Sequence, residues 1–208
     1  MRILTLMFKP LALASIALAI MAVSHGVARA NPVTFGTTGS FNGSPSTQNN
    51  AITFGGGGNT LTISYVGLLP GTTVDANPVT FTSLGDFVTS TTGSGATIGP
   101  GTTFALTVNQ TIPSLGTGTF SATLQGVIAQ NSSTGLVIFN VMSVNINGVT
   151  YTLQNNPLPL VPPSTNNGVT SIQAAITAPI PEPASMLLLG TGLIGLAGVA
   201  RRRFLSRR

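Results

Sequence analysis

The chain has 208 residues, a formal charge of +5, only 5% charged residues, and no cysteine or tryptophan. Without cysteine there are no disulfide staples and no thiolate chemistry. The eight basic residues are Arg2, Lys9, Arg29, Arg201, Arg202, Arg203, Arg207 and Arg208, so the isoelectric point near 11.3 comes from the two ends. Residues 31–183 contain no Lys, Arg or His and only Asp75, Asp86 and Glu182 as charges, a net −3. With no basic patch to meet phosphates, nucleic acid is excluded as a charge-driven partner.

The chain opens on Arg2 and Lys9, followed by an apolar stretch over residues 11–23 and the small-residue pattern Ala28-Arg29-Ala30. This order is that of a secretory signal peptide over residues 1–30, cut after Ala30 by signal peptidase. An uncleaved anchor would need roughly 20 apolar residues, and this stretch is shorter.

Residues 31–177 read as one all-β domain, an antiparallel β-sandwich, with a barrel as the second choice. Thr and Val are frequent, and no helical period is sustained. In chain order, the stretch from Phe35 to Asn50 is rich in Gly and Ser and is expected to be loose. Ile52-Thr53-Phe54 leads through Gly55-Gly56-Gly57-Gly58 into a strand at 60–66, with Leu61, Ile63 and Tyr65 on one face. Further strands are expected at 79–88, 103–108 and 119–129, the last with Phe120, Ala122 and Leu124 inward and Gly126 as a bend. Residues 136–141 are nearly all apolar and read as a central buried strand. Asn147-Gly148 between 144–146 and 149–153 marks a two-residue hairpin. Residues 155–168, with Pro157, Pro159, Pro162 and Pro163, read as a long loop, and 169–177 as the last strand.

This domain lacks the parts of a catalyst. It has no His to activate a hydroxyl and no Lys, and Asp75 and Asp86 are its only carboxylates. Two carboxylates could form a glycosidase pair, but no Trp or Arg accompanies them. The expectation is a non-enzyme with no cofactor and no metal. Calcium through Asp75, Asn77 and Asp86 is the weaker alternative, without Asp-x-Asp-x-Asp-Gly spacing. Otherwise Asp75 reads as a turn residue before a strand and Asp86 as a bulge or edge charge. The Thr-x-Thr pairs 60/62, 80/82, 117/119 and 150/152 resemble the ladders of ice binders but follow no constant period, and read as strand residues facing water.

Residues 178–183 alternate proline up to Pro181-Glu182-Pro183. Such a segment is extended and joins neither helix nor sheet. Residues 184–200 are apolar, broken only by Ser185 and Thr191, and read as one transmembrane helix about 25 Å long. Four glycines within it are tolerated in lipid. Arg201, Arg202 and Arg203 open a cytoplasmic tail over 201–208, placing the N-terminal side outside. A GPI signal also ends in an apolar tail, but it lacks the arginines and needs a polar spacer.

These three parts, Pro181-Glu182-Pro183, the apolar run and the arginine cluster, resemble a PEP-CTERM sorting signal over about the last 28 residues. The resemblance implies a Gram-negative bacterium, recognition by an exosortase-type enzyme, cleavage near Pro-Glu-Pro and export linked to extracellular polysaccharide. The chain as a whole then reads as an exported, non-enzymatic protein, briefly held in the inner membrane and then found at the cell surface, in the extracellular matrix or in a biofilm. The alternatives are a carbohydrate-binding module for secreted polysaccharide, stacking sugars on Tyr65, Tyr151 or phenylalanines, and an uncleaved single-pass membrane protein.

Overall fold

A computed structural model describes residues 31–42, 49–179, 189–193 and 195. The described residues 31–42 and 49–179 form one compact unit. Its strands are, in chain order, β1 (Pro32–Phe41), β2 (Asn49–Gly56), β3 (Asn59–Val66), β4 (Thr72–Asp75), β5 (Val79–Thr92), β6 (Ala96–Thr97) and β7 (Thr103–Ile112). They continue with β8 (Gly116–Gln125), β9 (Val127–Ile128), β10 (Leu136–Phe139), β11 (Ser143–Ile146), β12 (Val149–Leu153), β13 (Leu158–Pro159) and β14 (Val169–Thr177).

Two six-stranded antiparallel sheets result, in the orders β13-β10-β8-β7-β1-β4 and β11-β12-β14-β5-β3-β2, with β6 and β9 as a small third pair. Both large sheets contribute alternate side chains to one core, an arrangement that fits the expected β-sandwich. The first supplies Phe35, Phe41, Phe104, Leu106, Val108 and Phe120, and the second supplies Leu61, Ile63, Tyr65, Phe87, Tyr151 and Ile176. Phe41, Tyr65, Phe87 and Phe104 form an aromatic cluster with ring centroids 4.8–6.3 Å apart. Burying each such ring stabilises the fold by about 1.5–3 kcal/mol.

Two hairpins follow directly from local chemistry. Asn147 and Gly148 have φ of 50° and 92°, joining β11 to β12. Gly57 and Gly58 have φ of 61° and 90°, joining β2 to β3. Positive φ at both central residues is what a tight two-residue hairpin requires. Gly126, at φ 108°, turns the chain between β8 and β9 as expected.

Five expectations are corrected. Residues 35–41 are not loose: they lie in β1, and Phe35, Thr37 and Phe41 are buried. Gly39 is there for space, since a Cβ would meet the Tyr65 and Phe104 rings. The strand at Leu136–Phe139 is not central, because only the two-residue β13 lies outside it. Asp75 closes β4 and precedes the turn rather than standing in it. Asp86 does lie beside a bulge, where Leu84 and Gly85 face Ile172 alone, but β5 runs inside its sheet and Asp86 is half-buried. Within the expected loop at 155–168, β13 and a single 3-10 turn at Asn166–Gly168 bring Leu158 and Leu160 into the core.

Residues 189–193 and 195 are helical and exposed where described. Among the described residues no helix is long and apolar enough to cross a membrane. The expected span at 184–200 falls mostly outside the described residues.

Candidate functional site

The two carboxylates of the β-domain sit on different sheets. Asp75, exposed at the end of β4, accepts a hydrogen bond from the Asn31 backbone N–H at 2.7 Å. Asp86, on β5, accepts one from the Ser171 hydroxyl on β14. The two carboxylates are thus bonded to different partners, Asn31 and Ser171. Among the described residues, no group of three or more His, Cys, Asp or Glu could hold a metal ion.

Both tyrosines are fully buried, at 0% exposure, so neither offers a ring to a sugar. Tyr65 belongs to a polar knot between the sheets. The Thr37 hydroxyl donates to the Leu84 carbonyl at 2.7 Å and accepts from the Leu68 N–H at 2.9 Å. The Tyr65 hydroxyl lies 2.6 Å from that carbonyl and 2.7 Å from the Thr37 oxygen. Gly85 closes the knot at φ 117°, and a Cβ there would stand 2.5 Å from the Tyr65 hydroxyl. Burial pushes the Tyr65 hydroxyl well above its ordinary titration range, against the Thr37 hydrogen bond, and Asp86 adds to the rise. Tyr151 is also raised by burial. Its hydroxyl donates to Gln110 Oε1 at 2.9 Å, and the Gln110 amide in turn donates to the Ser114 carbonyl. These groups are satisfied and structural: no buried side-chain N or O lacks a partner among the described residues.

The outward faces carry the accessible chemistry. On the first sheet, register aligns Thr38, Thr107 and Thr119 across β1, β7 and β8, with Ser40, Ala105 and Ser121 in the next row. On the second, Thr53 pairs with Thr62 at 2.9 Å and Thr60 with Thr92 at 2.8 Å. Many of the threonines thus bond one another across strands. Phe81 on β5 breaks this pattern. It is 67% exposed and lies opposite Ala175, with Ser83 two residues along its strand opposite Gln173. Sequence reasoning placed Phe81 in the 79–88 strand without setting it apart as exposed, because aromatic residues in alternating strands are usually core. The pattern carried a signal, since the bulge at Leu84–Gly85 reverses which alternate residues face inward.

The sorting residues Pro181, Glu182 and Pro183, the cleavage residues Ala28 and Ala30, and the stop residues Arg201, Arg202 and Arg203 lie outside the described residues. The described chain reaches the edge of the tail at Pro179, whose carbonyl accepts a hydrogen bond from the Asn31 side chain at 2.8 Å.

The β-domain and its site chemistry define an antiparallel β protein whose accessible surface is hydroxyl-rich and nearly uncharged. A family model for the PEP-CTERM protein-sorting motif matches residues 179–203. No curated protein and no solved structure matches the chain. The motif indicates an exported protein with a C-terminal membrane-anchoring sorting signal and implies an exosortase-type partner.

Proposed function

We propose that this is a non-enzymatic surface or extracellular-matrix protein of a Gram-negative bacterium. Its leader, residues 1–30, is removed by signal peptidase after Ala30. Residues 184–200 then hold the chain in the inner membrane, with Arg201, Arg202 and Arg203 on the cytoplasmic side. An exosortase grips Pro181-Glu182-Pro183 and cuts near it, handing the β-domain to the envelope or the matrix. The observation that carries this reading is the sorting match at 179–203, directly behind the last strand of the domain. In a host with its sorting enzyme, Glu182→Ala should leave an uncut precursor with its C-terminal arginines. Mass spectrometry of the surface-recovered C-terminus reads the outcome, and normal maturation of the variant overturns the assignment. An intact C-terminus on the wild-type surface protein would select the uncleaved single-pass form instead.

A second reading, binding of secreted neutral polysaccharide, is supported by the exposed Phe81 ring flanked by Ser83 and Gln173. Phe81→Ala should abolish retention of the exported protein on the host's polymer. Equal retention of both proteins rules out this face.

A further inference from the structure

Asp75 sits at the end of an edge strand and contributes nothing to the core. What it does hold is the first described residue of the domain. The Asn31 nitrogen donates to Asp75 Oδ1 at 2.7 Å, the Asn31 carbonyl accepts from the Ala76 N–H at 3.1 Å, and the Asn31 side chain donates to the Pro179 carbonyl at 2.8 Å. Pro32, the next residue, pairs with Asp75 across β1 and β4. Three bonds thus place one backbone nitrogen against one carboxylate.

In the precursor that nitrogen is a neutral amide. Hydrolysis of the bond between Ala30 and Asn31 adds water, leaves a carboxylate on the leader and an amine on Asn31, and the amine takes up a proton at neutral pH. The charge appears on an atom already within hydrogen-bonding distance of Asp75. No other cation competes, because residues 31–179 contain no Lys, Arg or His. The remaining titratable groups of the domain stand elsewhere: Asp86 is bonded to Ser171 on the other sheet, and Tyr65 and Tyr151 are buried.

We propose that Asp75 is a receptor for the processed amino terminus, its ligand being the primary α-ammonium of this same chain. This rests on the reading that the leader is cut after Ala30. Cleavage then creates an ion pair that the precursor lacks, beside Pro179, where the sorting match begins. A charge-assisted bond replaces a neutral one without new packing. The site is exposed, so the gain is modest. The pair holds the proton on the amine: its stabilisation is present at neutral pH and is lost as pH climbs through the raised midpoint.

The sequence offers a clean probe. The chain's single lysine, Lys9, leaves with the leader, so the mature protein has one amine. The mature protein is recovered from exporting cells, its first residue read by mass spectrometry, and its amine dimethylated with 13C-formaldehyde and a hydride donor. Carbon NMR then follows that amine through a pH titration. The folded protein should titrate about half a unit above the same chain in urea. Asp75→Asn should bring the folded midpoint down to the unfolded one, while Asp86→Asn leaves it raised. Equal midpoints in wild type and Asp75→Asn overturn the proposal even with the cut in place. A first residue other than Asn31 is read before any titration; it refutes the cut site and takes the proposal with it.

Discussion

The ends of this chain and its middle use opposite chemistry. All eight basic residues lie in residues 1–30 and 201–208, whereas residues 31–179 hold two carboxylates and no cation. In the proposed route the ends act through charge and apolar length, which targeting machinery and membranes read. The middle is held by aromatic packing and neutral hydrogen bonds, such as the knot of Thr37, Tyr65 and Leu84. None of the bonds that hold the middle uses a basic side chain, because residues 31–179 contain none.

The largest expected effect breaks the comparison outright. Replacing Arg201, Arg202 and Arg203 with Ser should abolish maturation, leaving the precursor visible by immunoblot of membrane fractions, while the β-domain keeps its circular dichroism spectrum. Next comes Gly85→Ala, which puts a Cβ at positive φ against the Tyr65 hydroxyl and the Val66 carbonyl. It should cost on the order of 3 kcal/mol in urea denaturation. Thr37→Val leaves the Leu68 N–H unpaired and should cost about 2 kcal/mol by the same measurement. The tyrosines give a pH effect. Both are raised from an ordinary value of 10.0, so the native state holds their protons more tightly than the unfolded chain. Stability they contribute is complete below that value and declines as pH rises above it, visible as a falling thermal midpoint on the alkaline side. The smallest effect is that of salt. Raising sodium chloride from 0.05 to 0.3 M should move stability by less than about 0.3 kcal/mol, because one exposed ion pair at most is screened.

Where a strand alternates large apolar and small polar residues, its sequence was a good guide. The β3 face of Leu61, Ile63 and Tyr65 and the Asn147-Gly148 hairpin are both found as expected. Residues 169–177 form β14 with the expected ends. Where glycine serves packing, the guide failed. In β1, Gly36 and Gly39 look like loosening, yet a Cβ at Gly36 would stand 2.9 Å from the Leu68 carbonyl and at Gly39 would meet two rings. Only the partner across the gap reveals that. The same holds for the tyrosines: a buried Tyr and a sugar platform look alike until the hydroxyl's partner is seen. Asp75 looked like turn chemistry, because its contact with Asn31 joins residues 44 apart in sequence. The sorting tail was legible because its parts are contiguous and act through composition and order.

The placement of β14 has a consequence for how the molecule is made. Among the described residues it is the last strand, yet it stands between β12 and β5 and joins β11-β12 to β5-β3-β2. Until residue 169 has been made, β12 and β5 lack the strand that joins them in the folded sheet. The keystone arrives last, just ahead of the sorting motif. Closure of that sheet and completion of the sorting motif therefore fall close together in synthesis.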